Sequence, residues 1–294
     1  RAGAGALAPN VDPRVDSDAG SELPVLPTEP PVPTRYPKLA GACPELSGPG
    51  TYTFRVGGRS LAVQLYLQPK AARSPGARGP LILYFHALGS SSSEVVTALG
   101  QRAIDAVVAQ GGVVASFNAV PCLRCGLDDV VWYDEDDAVT DQVVACAREQ
   151  AFIDPRHIHA VGFSAGALHA MHLLLVRSDF IASVISYSGG MPTTEPPPQD
   201  PGNKVPALLS FGKSGLDNAV ADFNQASHDW YDRYTPRGYY VLLCNHSGGH
   251  VIPADLAPAA LRFLMDHPYK GQPEPYRNML PGELPRYCQN GPGL

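Results

Sequence analysis

Long apolar runs and a strong excess of charge are both missing from this sequence. No apolar stretch approaches the roughly 20 residues that a membrane-spanning helix needs. Charged residues make up only 17% of the chain and the formal net charge is -6, which leaves no broad basic surface for nucleic acid or an anionic membrane. The composition therefore argues against a nucleic-acid binder and favours a small or neutral partner.

The beginning of the chain lacks a feature of exported proteins, because no apolar signal segment follows Arg1. Six cysteines in a proline-rich and lysine-poor chain nevertheless suit an oxidising compartment. We therefore expect a protein that is secreted or held in the cell envelope, with its signal segment absent from this chain.

Aromatic residues and apolar periodicity are scarce at the start of the chain. Residues 1–40 are rich in proline, which predicts an extended linker or leader rather than a packed element. The remaining length and the 44% hydrophobic content suffice for one large core. We expect a single domain over residues 41–294, of which residues 268–294 form a C-terminal tail.

Two kinds of apolar pattern follow the leader. Alternating residues on both sides of Gly57-Gly58 predict a β-hairpin. Runs that are apolar on both faces predict central parallel strands, at residues 81–85, 112–117, 157–163, 182–187, 207–211 and 239–244. Helical patterns lie near residues 93–110, 136–150, 165–177, 218–235 and 254–267. This alternation predicts an α/β fold with a mostly parallel, doubly wound sheet and an N-terminal antiparallel hairpin.

The strongest local motif is Gly162-Phe163-Ser164-Ala165-Gly166, which lies between a predicted strand and a predicted helix. It has the form of the nucleophile elbow of the α/β-hydrolase fold, a turn so tight that small residues must flank the serine. Ser164 is therefore the predicted nucleophile, exposed at a helix N-terminus. A glycine-bounded turn with an incidental serine is the alternative.

A serine hydroxyl is a weak nucleophile until a base removes its proton, and this fold takes the base from a loop after the last strand. His250 ends the segment His246-Ser247-Gly248-Gly249-His250, in which two glycines let the backbone turn sharply. His246 is the competing candidate. We predict His250 because it lies beyond the glycine pair and just before the next helix.

The acid that orients the base is expected in the loop after the preceding strand. Asp217 lies there and is the predicted acid; its alternative role is that of a helix N-cap, which aspartate also favours. Asp222 is predicted to lie inside the following helix, and Asp200 precedes the strand. The chain order Ser164, Asp217, His250 is the order that this fold uses.

The oxyanion of a tetrahedral intermediate needs two backbone N–H donors. One is expected from Ala165, the residue after the nucleophile, and the other from the loop at residues 86–92. His86 begins that loop upstream of the serine, so we expect it to shape the loop rather than to act as a base.

Together these residues resemble the polyhydroxybutyrate depolymerase and feruloyl esterase family of extracellular α/β-hydrolases, also called LpqC-like esterases. The resemblance is carried by residues 154–168, where an Asp-Pro-Arg turn leads a strand into Gly-Phe-Ser-Ala-Gly, and it spans roughly residues 50–267. It implies the α/β-hydrolase fold, a catalytic triad and an oxyanion hole. The implied triad is Ser164, Asp217 and His250, and the implied oxyanion donors are the N–H groups of Leu88 and Ala165.

The sequence departs from the family pattern near the oxyanion loop. Ala87 and Ala167 stand where the family has glycine, and the family's tryptophan-rich motif is absent. Trp132 and Tyr133 instead follow the next strand, where their side chains either bind substrate by stacking or seal the loop onto the core. The sequence leaves both alternatives open.

Acidic residues cluster nearby, at Asp128, Asp129, Asp134, Glu135, Asp136, Asp137 and Asp141. They lack a recognised calcium loop, so a solvated helix start explains most of them better. His169 and His172 lie one helical turn apart, yet no glutamate accompanies them as in zinc peptidases. We therefore expect surface or core histidines, no metal and no cofactor.

The cysteines are candidates for disulfides, although six cysteines allow fifteen pairings. Cys122 and Cys125 suit a local structural disulfide. We expect the remaining pairs to be Cys43 with Cys288, which would tie the two tails to the body, and Cys146 with Cys244.

These features predict a serine carboxylic-ester hydrolase that acts through an acyl-enzyme, with residues 41–294 as its catalytic domain. The resemblance implies an ester substrate, either a small molecule or a polymer such as a polyester or a feruloylated polysaccharide. We expect a monomer. A serine peptidase and a non-catalytic binding protein on the same fold are the alternatives.

Overall fold

The structure, a computed structural model, describes residues 29–74, 76–119, 132, 134–190 and 195–291. Within these residues a nine-stranded sheet has the order β1-β2-β4-β3-β5-β6-β7-β8-β9. The strands are β1 (Gly50–Val56), β2 (Arg59–Tyr66), β3 (Leu81–Phe85), β4 (Val113–Asn118), β5 (Ile158–Phe163), β6 (Ser183–Tyr187), β7 (Ala207–Phe211), β8 (Val241–Asn245) and β9 (Cys288–Gln289). The helices are α1 (Val95–Leu99), α2 (Gln101–Ala109), α3 (Asp134–Ala151), α4 (Ala165–Val176), α5 (Phe223–Tyr234) and α6 (Ala257–Asp266).

Strand direction follows the prediction from the apolar runs. Strands β3 to β8 pair in parallel, because each connection between successive strands of this set returns the chain to the same edge of the sheet. The β1–β2 hairpin is antiparallel and joins the sheet through β4. The mostly parallel sheet with an N-terminal antiparallel hairpin is thus confirmed.

Helices cover both faces of the sheet, as expected for central strands that are apolar on both sides. One core packs α3, α4 and α5 against one face, and the other packs α1, α2 and α6 against the opposite face. The doubly wound arrangement therefore places the ends of the parallel strands, with the loops that follow them, along one edge of the sheet.

Two predicted helices have different bounds. The predicted helix at 93–110 is divided at Gly100, whose φ of 79° interrupts the helical backbone between α1 and α2. The predicted helix at 218–235 begins only at Phe223. Asp222 caps this helix, since its carboxylate accepts a hydrogen bond of 3.1 Å from the Gln225 N–H. The prediction that Asp222 lies inside the helix was therefore wrong.

The expected disulfide pairing was also wrong. Cys43 pairs with Cys146, and Cys244 pairs with Cys288. Cys43 and Cys146 lie at the core beneath α3, whereas Cys244 and Cys288 face each other on β8 and β9 at the opposite core. The sheet lies between the two observed pairs. Cys43 therefore cannot reach Cys288, and Cys146 cannot reach Cys244, as had been expected. Cys122 and Cys125 lie outside the described residues.

The C-terminal segment packs closely on the domain. Residues 268–291 bury Tyr269, Tyr276 and Leu284, and β9 extends the sheet by pairing with β8 in antiparallel orientation. Of the predicted leader, only residues 29–40 are described, and the Ala40 N–H donates to Gln142 on α3. No helix among the described residues has the length and apolar character needed to cross a membrane.

Candidate active site

The turn between β5 and α4 explains why its sequence is rich in small residues. Ser164 has φ 55° and ψ -119°, a conformation that non-glycine residues rarely adopt. A Cβ at Gly162 would overlap the carbonyl of Gly166, and a Cβ at Gly166 would overlap the carbonyl of Phe85 on β3. Close backbone approach therefore requires both glycines. The serine stands at the start of α4 as the sequence predicts, but the residue is only 6% exposed, so the expectation that it is exposed was wrong because the packed loops around the turn cover it.

Three predicted site residues meet at this turn. The Ser164 Oγ lies 2.9 Å from His250 Nε2, and His250 Nδ1 lies 2.7 Å from Asp217 Oδ1. In the neutral ring with hydrogen on Nδ1, His250 donates to Asp217 and accepts from Ser164. The structure thus joins the three side chains in a continuous hydrogen-bonded line from β5 to the loops after β7 and β8.

The His250 ring packs against two aromatic neighbours. Its centroid lies 4.8 Å from the ring of Phe163 and 5.0 Å from the ring of Phe223. The loop that carries it is fixed to the acid loop, because the Lys213 N–H donates to the Gly248 carbonyl over 2.9 Å. His250 and Asp217 are therefore held as one packed unit.

The Asp217 carboxylate is buried and fully engaged. Its Oδ2 accepts from Ser188 Oγ at 2.8 Å and from the Gly212 N–H at 2.7 Å, while Oδ1 accepts from His250. Burial acts to raise the pKa of this carboxyl, but the hydrogen bonds from His250, Gly212 and Ser188 outweigh it and leave the pKa below its usual value. Since Asp222 caps α5, the N-cap alternative for Asp217 does not apply.

Sequence reasoning missed Ser188. It directly follows β6 and precedes Gly189 and Gly190, so its position at the same edge of the sheet as Asp217 was readable from the strand pattern. Its contact with Asp217 was not readable, because a serine beside two glycines is also typical of an ordinary turn.

His246, the competing base, does not contact Ser164. Its Nδ1 accepts from the Gly248 N–H at 3.2 Å, and burial lowers its pKa. The ring lines a cavity of about 430 Å³ whose other lining residues are Phe211, Lys213, His228, Leu243, Asn245, Ser247, Tyr287 and Gln289. Neither Ser164 nor His250 belongs to that cavity, so His246 faces a space separate from the hydroxyl.

The loop after β3 is shaped by internal hydrogen bonds. His86 bonds through Nδ1 to the Ala87 carbonyl at 2.6 Å and through Nε2 to the Ala119 N–H at 3.0 Å. Glu94 accepts from the Ala87 N–H at 3.0 Å. Within the described part of the chain the Leu88 N–H has no hydrogen-bond acceptor. These bonds agree with a loop-shaping role for His86.

Trp132 lies in the core. Its indole is 3% exposed, packs edge-on against Phe85 with centroids 5.2 Å apart, and donates to the His86 carbonyl at 2.9 Å. The structure therefore supports the sealing alternative for Trp132 and argues against substrate stacking. Tyr133 lies outside the described residues.

The acidic start of α3 is paired with basic side chains rather than simply solvated. Asp136 is buried and accepts two hydrogen bonds from Arg59, of 2.6 and 3.0 Å, and Asp141 is paired in the same way with Arg177. Asp137 lies 3.1 Å from His172 Nε2. The expectation of a solvated helix start was thus wrong for these three residues. Asp134 is exposed, as expected, while Asp128 and Asp129 lie outside the described residues.

Across the residues that the structure describes, no three acidic, histidine or cysteine side chains gather as a metal site would require. His169 is instead a core residue, which stacks on Trp132 with centroids 5.7 Å apart. His172 is partly buried beside Asp137. His169 and His172 therefore belong to the packing of α4 against its neighbours.

His169 is expected to make stability depend on pH. Burial lowers its pKa to about 4, whereas an unfolded histidine binds its proton near pH 6.5. The unfolded state therefore binds more protons between these values, so stability that is complete above about pH 6.5 is lost as the pH falls toward 4. The expected contribution is about 3 kcal/mol in free energy of unfolding.

Urea unfolding of the wild type and of His169→Gln at neutral and acidic pH measures this dependence. The variant removes the titrating group, so its stability is expected to fall less on acidification. An equal loss in both proteins would show that His169 does not control the acid sensitivity.

The chain is similar to known proteins in fold and, over part of its length, in sequence. No protein-family model matches the chain. Native pOPH, a solved structure, superposes with a TM-score of 0.63 at 18% identity, covering 90% of this chain and 98% of that one. The chain has the α/β-hydrolase fold. The fold prediction is confirmed, and the α/β-hydrolase fold explains why the serine turn and the loops after β7 and β8 share one edge.

Two other proteins are similar to this α/β-hydrolase chain. A ferulic acid esterase structure aligns with a TM-score of 0.53 at 16% identity over 73% of this chain and 95% of its own. NocK of Nocardia uniformis subsp. tsuyamanensis, a proposed esterase, is 33% identical over 184 residues, which is 57% of this chain. The chain spans about half of NocK, since the match covers 51% of that protein.

Proposed function

We propose that this protein is a serine carboxylic-ester hydrolase in which Ser164, His250 and Asp217 form the catalytic triad. The hydrogen-bonded line from Ser164 Oγ through His250 to Asp217 carries the proposal. It starts at a strained turn, and such strain is common at functional sites. The similarity to NocK and to a ferulic acid esterase supports ester chemistry on this fold.

In the proposed reaction His250 Nε2 takes the proton of the Ser164 hydroxyl as the oxygen attacks the ester carbonyl. The N–H groups of Leu88 and Ala165 donate to the oxyanion that forms. The protonated His250 returns its proton to the leaving alcohol, which leaves an acyl group on Ser164. Water, deprotonated by the same ring, then releases the carboxylic acid and regenerates the hydroxyl.

The proposed substrate class is supported by exposed apolar side chains on the loops of the proposed site. Leu88, Leu216 and Val251 are 52%, 57% and 48% exposed, and they lie on the three loops that carry the oxyanion donor, the acid and the base. Exposed aliphatic side chains on these three loops favour an apolar ester, either a small molecule or a polyester or feruloyl-type chain. No cofactor is needed, and we propose that the enzyme acts as a monomer.

Export is part of the proposal. The two disulfides within the described residues suit an oxidising compartment, where such bonds persist. We therefore assign the enzyme to the extracellular space or the cell envelope.

A fluorophosphonate probe tests the nucleophile directly, because it bonds covalently to an activated serine. Mass spectrometry of the digested protein is expected to locate the adduct on Ser164. The adduct is expected to disappear in His250→Ala and to persist in His246→Ala, a histidine on the same loop that does not contact the serine. A folded wild-type protein without an adduct would favour the binding-protein alternative.

A further inference from the structure

We infer that Ser188 is a positioning residue of this site, which acts through Asp217 without contacting the substrate. The inference rests on the proposed function, since it assigns a fourth residue to the proposed triad. Ser188 Oγ donates to Asp217 Oδ2 at 2.8 Å, on the side of the carboxylate opposite His250. The hydroxyl thereby decides which carboxylate oxygen faces the imidazole.

The arrangement divides the carboxylate into two halves. Oδ2 receives the Ser188 hydroxyl and the Gly212 N–H, while Oδ1 is left for His250 Nδ1. Asp217 and Ser188 are both fully buried, so no solvent is in contact with either side chain to replace a lost donor. A buried carboxylate that loses one of its donors must turn toward another, which would misalign the bond to the base.

The backbone around Ser188 is held in a costly conformation that aims the hydroxyl. Ser188 has a φ of 48°, and its N–H donates to the Ser210 carbonyl on β7 at 2.7 Å. A serine rarely adopts this region, and such residues persist where the surrounding structure determines them. The strain therefore lies at the residue after β6 whose side chain reaches Asp217.

The two glycines after Ser188 show how tightly the turn is held. A Cβ at Gly189 would lie 2.5 Å from the Cβ of Ala167 on the nucleophile helix α4. A Cβ at Gly190 would lie 2.5 Å from the backbone of Ala226 on α5. The turn is thus packed tightly between α4, which follows Ser164, and α5, which follows Asp217. This packing fixes the position of the Ser188 hydroxyl relative to both helices.

The hydrogen bond has an electrostatic consequence as well as a geometric one. A donor to Oδ2 disperses part of the negative charge of Asp217 and is one of the causes that lower its pKa. Without it, the pKa of Asp217 is expected to rise. The acid limb of the kcat/KM profile should therefore move to higher pH, because Asp217 keeps its charge only at a higher pH.

Ser188→Ala and Ser188→Gly test the inference together. Both remove the hydroxyl, and the glycine variant also relieves the positive φ, so it carries the test if the alanine variant fails to fold. We expect kcat for a chromogenic ester to fall about 10-fold, the order of one hydrogen bond to a charged group, with KM unchanged. We also expect the acid limb to shift upward in both variants.

The matched control is Ser227→Ala. Ser227 is a buried serine on α5 whose hydroxyl has no partner among the described residues, so it is expected to behave as wild type. Variants of Ser188 that match this control, or that lose kcat without a shift of the acid limb, would overturn the positioning role. A wild type with neither esterase activity nor a probe adduct would instead reject the proposed function itself, so the two failures are distinguishable.

Discussion

Ser164→Ala is expected to lower kcat for a chromogenic short-chain ester by about 10⁴-fold or more, the loss typical of removing the nucleophile from such a triad. The variant loses the oxygen that His250 contacts at 2.9 Å, while the rest of the turn is kept. Steady-state kinetics with purified protein measures the effect, and thermal unfolding checks that the variant is folded.

The control for this variant is Ser214→Ala. Ser214 is an exposed serine on the acid loop and is expected to leave kcat unchanged when replaced. Equal rates in the wild type and in Ser164→Ala would remove Ser164 from the mechanism and with it the acyl-enzyme. A large loss in both variants would point to a general sensitivity of these loops instead.

Gly166→Ala is expected to lower the free energy of unfolding by about 3 kcal/mol, at the upper end of the usual cost of overpacking. The added Cβ would overlap the Phe85 carbonyl and lie 2.7 Å from the His86 carbonyl, so β3 and the loop after it must move away from α4. Because that loop supplies the proposed oxyanion donor at Leu88, we also expect esterase activity to fall.

Chemical denaturation of Gly166→Ala and Gly58→Ala measures the effect. Gly58 lies in the β1–β2 turn, and a Cβ there would meet no atom within 4 Å. We expect Gly58→Ala to retain wild-type stability within a few tenths of a kcal/mol. If the two variants lost similar amounts of free energy of unfolding, close backbone approach at the serine turn would not be the reason why position 166 needs glycine.

Much of the architecture could be predicted because its signals are local. Apolar runs predicted β3 to β8, and the motif around Ser164 predicted a strand, a turn and a helix, all of which the structure contains. Bounds were less predictable. The break at Gly100 and the late start of α5 at Phe223 depend on backbone angles and on the Asp222 cap, which periodicity alone does not specify.

The side chains of the candidate site were predictable to different degrees. Chain order and loop position led to Ser164, Asp217 and His250, and the structure brings these three within hydrogen-bond distance. Ser188 was missed, and Trp132 could not be assigned to substrate or core. In both cases the deciding contact is with a residue from a distant part of the chain, so neighbours in sequence carry no information about it.

The sequence by itself determined the strand and helix alternation, the glycines of the serine turn and the order of the three candidate catalytic residues. These follow from steric and hydrophobic preferences that act over a few residues. Only the tertiary structure decided the pairing of Cys43 with Cys146, the burial of Asp136 against Arg59 and the bond from Ser188 to Asp217. Each joins residues far apart in the chain, and which face of the sheet a side chain reaches is settled only when the strands pack together.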